Sequence, residues 1–163
     1  MLKAIVSSIC VLFFLALSTA VFAQDEKKPE NSSADKYNAE LAKELGADEY
    51  GMRNYVFVVL KTGKTKIEDP DESREIFAGH FANMARLAKA GKLVLAGPFI
   101  EGAPKRGMYI FNVTTIKEAE DLVKTDPAVK AGVFEYELTK LYCSAALMKI
   151  NEIHMSVQKT SIE

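Results

Sequence analysis

Apolar residues in the central part of the chain follow two periods, the two-residue period of a strand and the three-to-four-residue period of a helix. Four segments dense in β-branched and aromatic residues predict strands, at residues 54–61, 93–99, 107–113 and 134–142. Two segments with helical spacing predict helices, at residues 70–90 and 115–125. The order strand, helix, strand, strand, helix, strand predicts an α+β, ferredoxin-like (βαββαβ) fold, which is a four-stranded antiparallel sheet with both helices on one face.

The first predicted helix carries a lone histidine on its apolar side. Asp69 and Pro70 supply an N-cap and a first-turn proline, and Gly91 is placed to end the helix. The residues predicted to face the sheet are Phe77, His80, Met84, Leu87 and Ala88, and those predicted to face outward are Glu75, Gly79, Ala82, Arg86 and Lys89. The histidine therefore points toward the predicted sheet.

The second face of the predicted sheet has no helix to cover it. Alternation along the strands places Tyr55, Phe57 and Val59, or Tyr109 and Phe111, on that face and makes it apolar. We expect a second copy of the chain to cover this face in a homodimer, or the terminal arms to do so.

An N-terminal signal peptide is predicted at residues 1–23. Lys3 is its one charged residue, an apolar run follows, and Val21-Phe22-Ala23 offers the small residues that a signal peptidase reads. Cleavage before Gln24 predicts a periplasmic or secreted protein with no membrane span after cleavage. The alternative is an uncleaved membrane anchor, for which the apolar run is short.

Three further segments flank the predicted domain, which spans residues 53–142. Residues 24–36 consist mostly of charged residues, Pro, Asn and Ser, and predict a disordered linker. Residues 37–52 predict an N-terminal helical extension, and residues 143–163 predict a C-terminal helix or arm.

Charge and motifs exclude several classes of function. The 21 Lys and Arg residues are balanced by 22 Asp and Glu, so we expect no binding to nucleic acid. The two histidines, His80 and His154, form no metal-binding pattern, so we expect no metal site. Because the sequence contains no phosphate-binding glycine loop and no Gly-x-Ser-x-Gly motif, we expect no cofactor and no phosphoryl or acyl transfer.

His80 has two interpretations. It is either a core histidine whose ring nitrogens bond to the backbone, or a general acid or base whose second nitrogen is held by a carboxylate. Asp126 is the candidate carboxylate. An aspartate before a proline is also a strong helix N-cap, and because a carboxylate has two oxygens, Asp126 can cap a helix and contact an imidazole at once.

The chain resembles the YciI-like (YCII-related) domain family in four features that follow one another at the family's spacing. They are His80, Gly91, the pair Gly97-Pro98, and Asp126 to Gly132, which reads Asp-Pro-Ala-Val-Lys-Ala-Gly. The resemblance covers residues 54–142. It implies a dimeric α+β barrel in which His80 and Asp126 form a catalytic pair, and an activity similar to that of a dehydrochlorinase acting on hydroxylated chloroaromatics.

Two functions remain open at this point. One is an exported small-molecule enzyme, of lyase or isomerase type, that uses the His-Asp pair on a small cyclic or phenolic compound. The residues expected to contact its ligand are Asn83, Gly97 and Pro98. The other is a non-catalytic ligand-binding or structural dimer of the cell envelope. Members of the family often carry an arginine three residues before the histidine, where this chain has Phe77, which weakens an anion-binding role at that position.

Overall fold

The computed structural model describes residues 37–160 of the chain. Its helices are α1 (Ala39–Leu45), α2 (Pro70–Lys89), α3 (Ile116–Val123), α4 (Pro127–Lys130) and α5 (Ile150–Val157), and Ala145–Lys149 is a 3₁₀ helix. Its strands are β1 (Met52–Thr62), β2 (Leu93–Pro98), β3 (Lys105–Phe111) and β4 (Phe134–Ser144). The predicted signal peptide, residues 1–23, and the predicted linker, residues 24–36, lie outside the described residues.

The four strands form one antiparallel sheet in the order β2-β3-β1-β4. Val58 of β1 lies opposite Tyr109 of β3 on one side and opposite Leu138 of β4 on the other. Helix α2 connects β1 to β2, and helices α3 and α4 connect β3 to β4. This arrangement confirms the predicted ferredoxin-like α+β fold.

Helices α2, α3 and α4 pack against one face of the sheet, and the main core lies between these helices and the strands. Val56, Val58 and Leu60 of β1 meet Leu87 of α2 and Val123 of α3 there, all of them nearly inaccessible to solvent. These three branched side chains occupy alternate positions of a central strand, so β1 buries a continuous apolar surface against the helices. The residues of α2 predicted to face the sheet all lie on this side: His80 and Leu87 are buried, and Phe77, Met84 and Ala88 are half-buried.

One prediction about the sheet faces is wrong. Tyr109 and Phe111 of β3 pack in the core beneath the helices, and Met108 and Ile110 lie on the opposite face. The pairing of Val58 with Tyr109 determines this, because paired residues of neighbouring strands point to the same face. Strand β3 is apolar at both sets of alternate positions, so its sequence does not distinguish the two faces.

The face opposite the helices is partly covered by the C-terminal segment of the same chain. Tyr55, Val94 and Ile110 form a second buried cluster there, and Leu147 and Met148 of the 3₁₀ helix pack against it. The amide of Asn151 donates a hydrogen bond of 2.8 Å to the carbonyl of Leu93 on β2. The remaining apolar side chains of this face, Phe57, Val59, Leu95, Met108 and Leu141, are only half-buried.

The N-terminal helix joins the C-terminal segment at one end of the sheet. Asn38 caps α1, and Gly46 ends it in the left-handed conformation, at φ 64°. Lys149 forms an ion pair of 2.8 Å with Glu44 of α1. Within residues 37–160, none of the helices has the length and apolar character needed to cross a membrane.

Candidate active site

His80 lies in the middle of α2 and is almost completely enclosed, with 7% of its surface exposed. The helix begins at a defined residue because the Asp69 side chain accepts a hydrogen bond from the Asp71 backbone amide at 2.9 Å and Pro70 occupies the first turn. From this start, the helical period turns His80 toward β3 and α4.

Asp126 is the partner of His80. Its Oδ2 lies 2.8 Å from His80 Nδ1, and its Oδ1 accepts the backbone N–H of Ala128 at 2.9 Å, which caps α4 ahead of Pro127. The side chain has no exposed surface. One buried carboxylate therefore serves both as the cap of a short helix and as the hydrogen-bond acceptor for the imidazole.

A glycine allows α2 and α4 to approach closely enough for this contact. A Cβ atom at Gly79 would lie 2.9 Å from Cγ of Pro127, which is closer than packed carbon atoms come. The prediction that Gly79 faces outward with the polar side of α2 is therefore wrong, because this position packs against α4. Gly79, which directly precedes His80 in the sequence, thus allows Asp126 to come within hydrogen-bond distance of the imidazole.

Tyr109 is a third member of the site, and no local sequence pattern predicts it there. Its hydroxyl donates a hydrogen bond of 3.0 Å to Oδ2 of Asp126 and lies 3.4 Å from Nδ1 of His80. Burial and the negative charge of Asp126 both raise the pKa of the Tyr109 phenol far above its ordinary value. The phenol therefore stays protonated and acts as a hydrogen-bond donor.

These contacts determine which nitrogen of His80 carries the proton. A carboxylate oxygen only accepts hydrogen bonds, so Nδ1 carries the hydrogen that it donates to Asp126, and a neutral ring then has its lone pair on Nε2. Among the residues that the structure describes, no group forms a hydrogen bond with Nε2, and this atom is not fully shielded from solvent. The site therefore presents an unpaired Nε2 with a lone pair, while the Asp126 carboxylate holds the other ring nitrogen, Nδ1.

Aromatic rings surround the imidazole. Phe77, Phe81 and Phe134 each meet it edge to face, with ring centroids 6.1, 5.4 and 5.5 Å away. Phe77 and Phe134 also line a cleft of about 360 Å³ on the surface of the domain, although His80 itself does not. The two phenyl rings therefore contact the imidazole and also form part of the wall of this cleft.

The structure does not bring the other predicted ligand-binding residues to this site. The side chain of Asn83 bonds to Arg86 and to the hydroxyl of Thr125, at 2.7 and 3.0 Å. Gly97 and Pro98 lie at the end of β2, paired with β3. None of the three contacts His80 or Asp126 through a hydrogen bond. Over residues 37–160 there is no group of three or more His, Cys, Asp or Glu side chains that could hold a metal ion.

Comparison with known proteins places the chain in a family. The family model for the YCII-related domain matches residues 55–141, which is more than half of the chain, and the chain belongs to this family. No curated protein matches the sequence. Among solved structures, the chain is similar to 5-chloro-2-hydroxyhydroquinone dehydrochlorinase (TftG) from Burkholderia phenoliruptrix AC1100, in complex with 2,5-dihydroxybenzoquinone. The identity is 20% and the TM-score 0.39, and the match covers 52% of this chain and 90% of that one.

Proposed function

We propose that the protein is a small-molecule enzyme of lyase or isomerase type, in which His80 transfers protons to and from a small cyclic or phenolic compound. The observation that carries this proposal is the unpaired Nε2 of a buried imidazole whose Nδ1–H is held at 2.8 Å by Asp126. Such a nitrogen can accept a proton from a bound substrate, and the carboxylate stabilises the imidazolium that forms.

The reaction begins when the lone pair of Nε2 accepts a proton from a C–H or O–H group of the substrate, whose bonding electrons stay with the substrate as an enolate or phenolate. In an isomerisation the imidazolium returns the proton to another atom of the same molecule. In an elimination the electron pair forms a C=C bond and expels a leaving group X⁻, so that HX is lost in total. Asp126 accepts the hydrogen bond from Nδ1 throughout, and the Tyr109 hydroxyl donates to the same carboxylate oxygen without ionising.

We also propose that the working form is a homodimer in which the apolar sheet face meets its counterpart in a second copy. Phe57, Leu95, Met108 and Leu141 are half-buried on that face and leave apolar surface that a second copy would remove from water. Sedimentation equilibrium should give twice the chain mass, and Phe57→Glu should give the monomer mass.

We propose a periplasmic or secreted location, which is supported by the leader-like pattern of residues 1–23. N-terminal sequencing of the protein recovered outside the cytoplasm should begin at Gln24. Recovery of the intact N-terminus from the cytoplasm would contradict this location.

A purely structural or ligand-binding role is the second candidate. It is favoured by the enclosure of His80 among phenyl rings and by the bonds from Asp126 to α2, β3 and α4, which tie three elements together. On this hypothesis, loss of His80 lowers the stability of the protein and changes no reaction rate.

Proton exchange on a phenolic probe distinguishes the two candidates. We expect the protein in D₂O to accelerate exchange of the ring hydrogens of 1,2,4-trihydroxybenzene, observed by proton NMR, and His80→Gln to reduce that acceleration about 100-fold or more. His154→Gln is the matched control, because His154 is exposed on α5. Equal exchange rates for folded wild-type and His80→Gln proteins would contradict the enzyme proposal, and a large stability loss with those equal rates would favour the structural role.

A further inference from the structure

The charged residues that line the cleft of Phe77 and Phe134 are all positive. Lys64, Lys66 and Arg106 line it, and no aspartate or glutamate does. Among the described residues, the Arg106 guanidinium forms no ion pair, so its charge is uncompensated within this part of the chain. A concave surface lined by charges of one sign concentrates ions of the opposite sign.

Both lysines are only weakly neutralised by their acidic neighbours. Lys64 Nζ lies 3.7 Å from a carboxylate oxygen of Glu135, and Lys66 Nζ lies 4.0 Å from one of Glu68, and both lysine side chains are largely exposed. Pairs of this kind are held loosely and exchange partners readily. Both ammonium groups therefore remain available to an anion that enters the cleft.

The loop that carries the lysines is held in place by backbone contacts. Gly63 N–H donates to the carbonyl of Val133 at 2.8 Å, and Thr65 N–H donates to the carbonyl of Gly132 at 3.0 Å. A Cβ atom at Gly63 would lie 2.1 Å from that Gly132 oxygen, so only glycine allows this approach. The rim of the cleft is thus attached to the loop that leads into β4.

Apolar groups form the rest of the cleft. Ile67 and Val133 line it together with the rings of Phe77 and Phe134, which are packed edge to face with centroids 5.9 Å apart. Paired phenyl rings offer an incoming aromatic ring the edge and offset contacts that such rings prefer. A cationic rim beside an aromatic wall matches a small molecule that is aromatic at one end and anionic at the other.

We propose that this cleft binds small aromatic anions, carboxylates or phenolates, with the anionic group on Arg106 and the ring against Phe77 and Phe134. This deepens the proposed function, because the same two phenyl rings touch His80. Arg106 belongs to β3 and the two lysines to the loop after β1, so these two elements bind the anionic group, whereas α2 and β4 supply the phenyl rings that contact the aromatic ring.

Binding of benzoate and of benzamide, which has the same ring without the charge, tests this assignment. We expect ¹⁵N NMR titration of the purified protein to show benzoate binding at least about fivefold more tightly than benzamide, with shifts at the amides of Gly63 and Thr65. Arg106→Gln should remove most of that preference. Lys89→Gln, which removes an exposed charge from the last turn of α2, should keep it.

Equal affinity for the two probes, or equal benzoate affinity in the Arg106→Gln and Lys89→Gln proteins, would overturn the assignment. These measurements detect binding alone, so they fail or succeed independently of the exchange reaction. Preference for benzoate without exchange on 1,2,4-trihydroxybenzene would support the anion-binding cleft and contradict the enzyme proposal. Exchange without the preference would support the enzyme proposal and contradict the anion-binding cleft.

Discussion

Replacing Tyr109 with Phe isolates one bond of the buried site. The substitution keeps the ring, which is 3% exposed, and removes the hydroxyl that donates to Oδ2 of Asp126 at 3.0 Å. A hydrogen bond to a charged group contributes about 1.5–3 kcal/mol. We therefore expect Tyr109→Phe to lower the free energy of unfolding by about that amount at pH 7, since the buried carboxylate then loses one of its donors.

The same substitution has a pH dependence with a definite sign. Burial and Asp126 raise the pKa of Tyr109 in the folded protein, whereas in the unfolded chain the phenol ionises near its ordinary pKa of about 10. Above pH 10 only the unfolded state releases this proton, so rising pH favours unfolding of the wild type. The stability advantage of the wild type over Tyr109→Phe should then shrink by about 1.4 kcal/mol for each pH unit above 10.

Urea unfolding of the two proteins at pH 7, 9 and 11 measures both effects. The other tyrosines and the lysines are common to the two proteins, so their titration cancels in the difference. Equal stability at pH 7, or a difference that stays constant from pH 9 to pH 11, would refute the assignment of Tyr109 as a protected donor to Asp126.

Two further substitutions test how the site is assembled. Asp126→Ala should destabilise the protein by at least about 2 kcal/mol, against about 1 kcal/mol for Asp69→Ala, because both residues cap a helix ahead of a proline but only Asp126 also bonds to His80 and Tyr109; equal losses in urea unfolding would show that capping is its whole contribution. Gly79→Val should cost about 1–3 kcal/mol and shift the ring resonances of His80 in NMR spectra, because the added side chain meets Pro127; an unchanged His80 spectrum would contradict the close packing of α2 on α4.

Local sequence signals account for most of the fold. The N-caps at Asp69 and Thr115 and the glycine stops at Gly46 and Gly91 mark helix boundaries within a few residues, because capping depends on side chains close in sequence. Such local signals do not determine which residues of β3 lie on which face of the sheet. Tyr109 lies under the helices because of its register with β1, and register depends on contacts between segments far apart in the chain.

In the candidate site, too, local sequence patterns predict some of the contacts and not others. The pairing of His80 with Asp126 followed from a lone histidine on an apolar helix face, an N-cap aspartate and the family resemblance, and the structure brings the two side chains together. Tyr109 is not predictable in this way, because β3 is apolar at both sets of alternate positions and its sequence fits either face of the sheet. The spacing along α2 predicts Asn83 as a ligand contact near His80, but its side chain bonds to the hydroxyl of Thr125 and not to the imidazole.

The proposed role of His80 depends most directly on which of its two ring nitrogens carries the proton. Long-range ¹H–¹⁵N correlation spectra of the wild-type protein at neutral pH distinguish a protonated ring nitrogen from one with a lone pair, and His154→Gln identifies the signals of His80. We predict a protonated Nδ1 and an unprotonated Nε2, with Nδ1 losing this preference in Asp126→Ala. A protonated Nε2 beside an unprotonated Nδ1 would contradict the proposal that Asp126 holds His80 as a base.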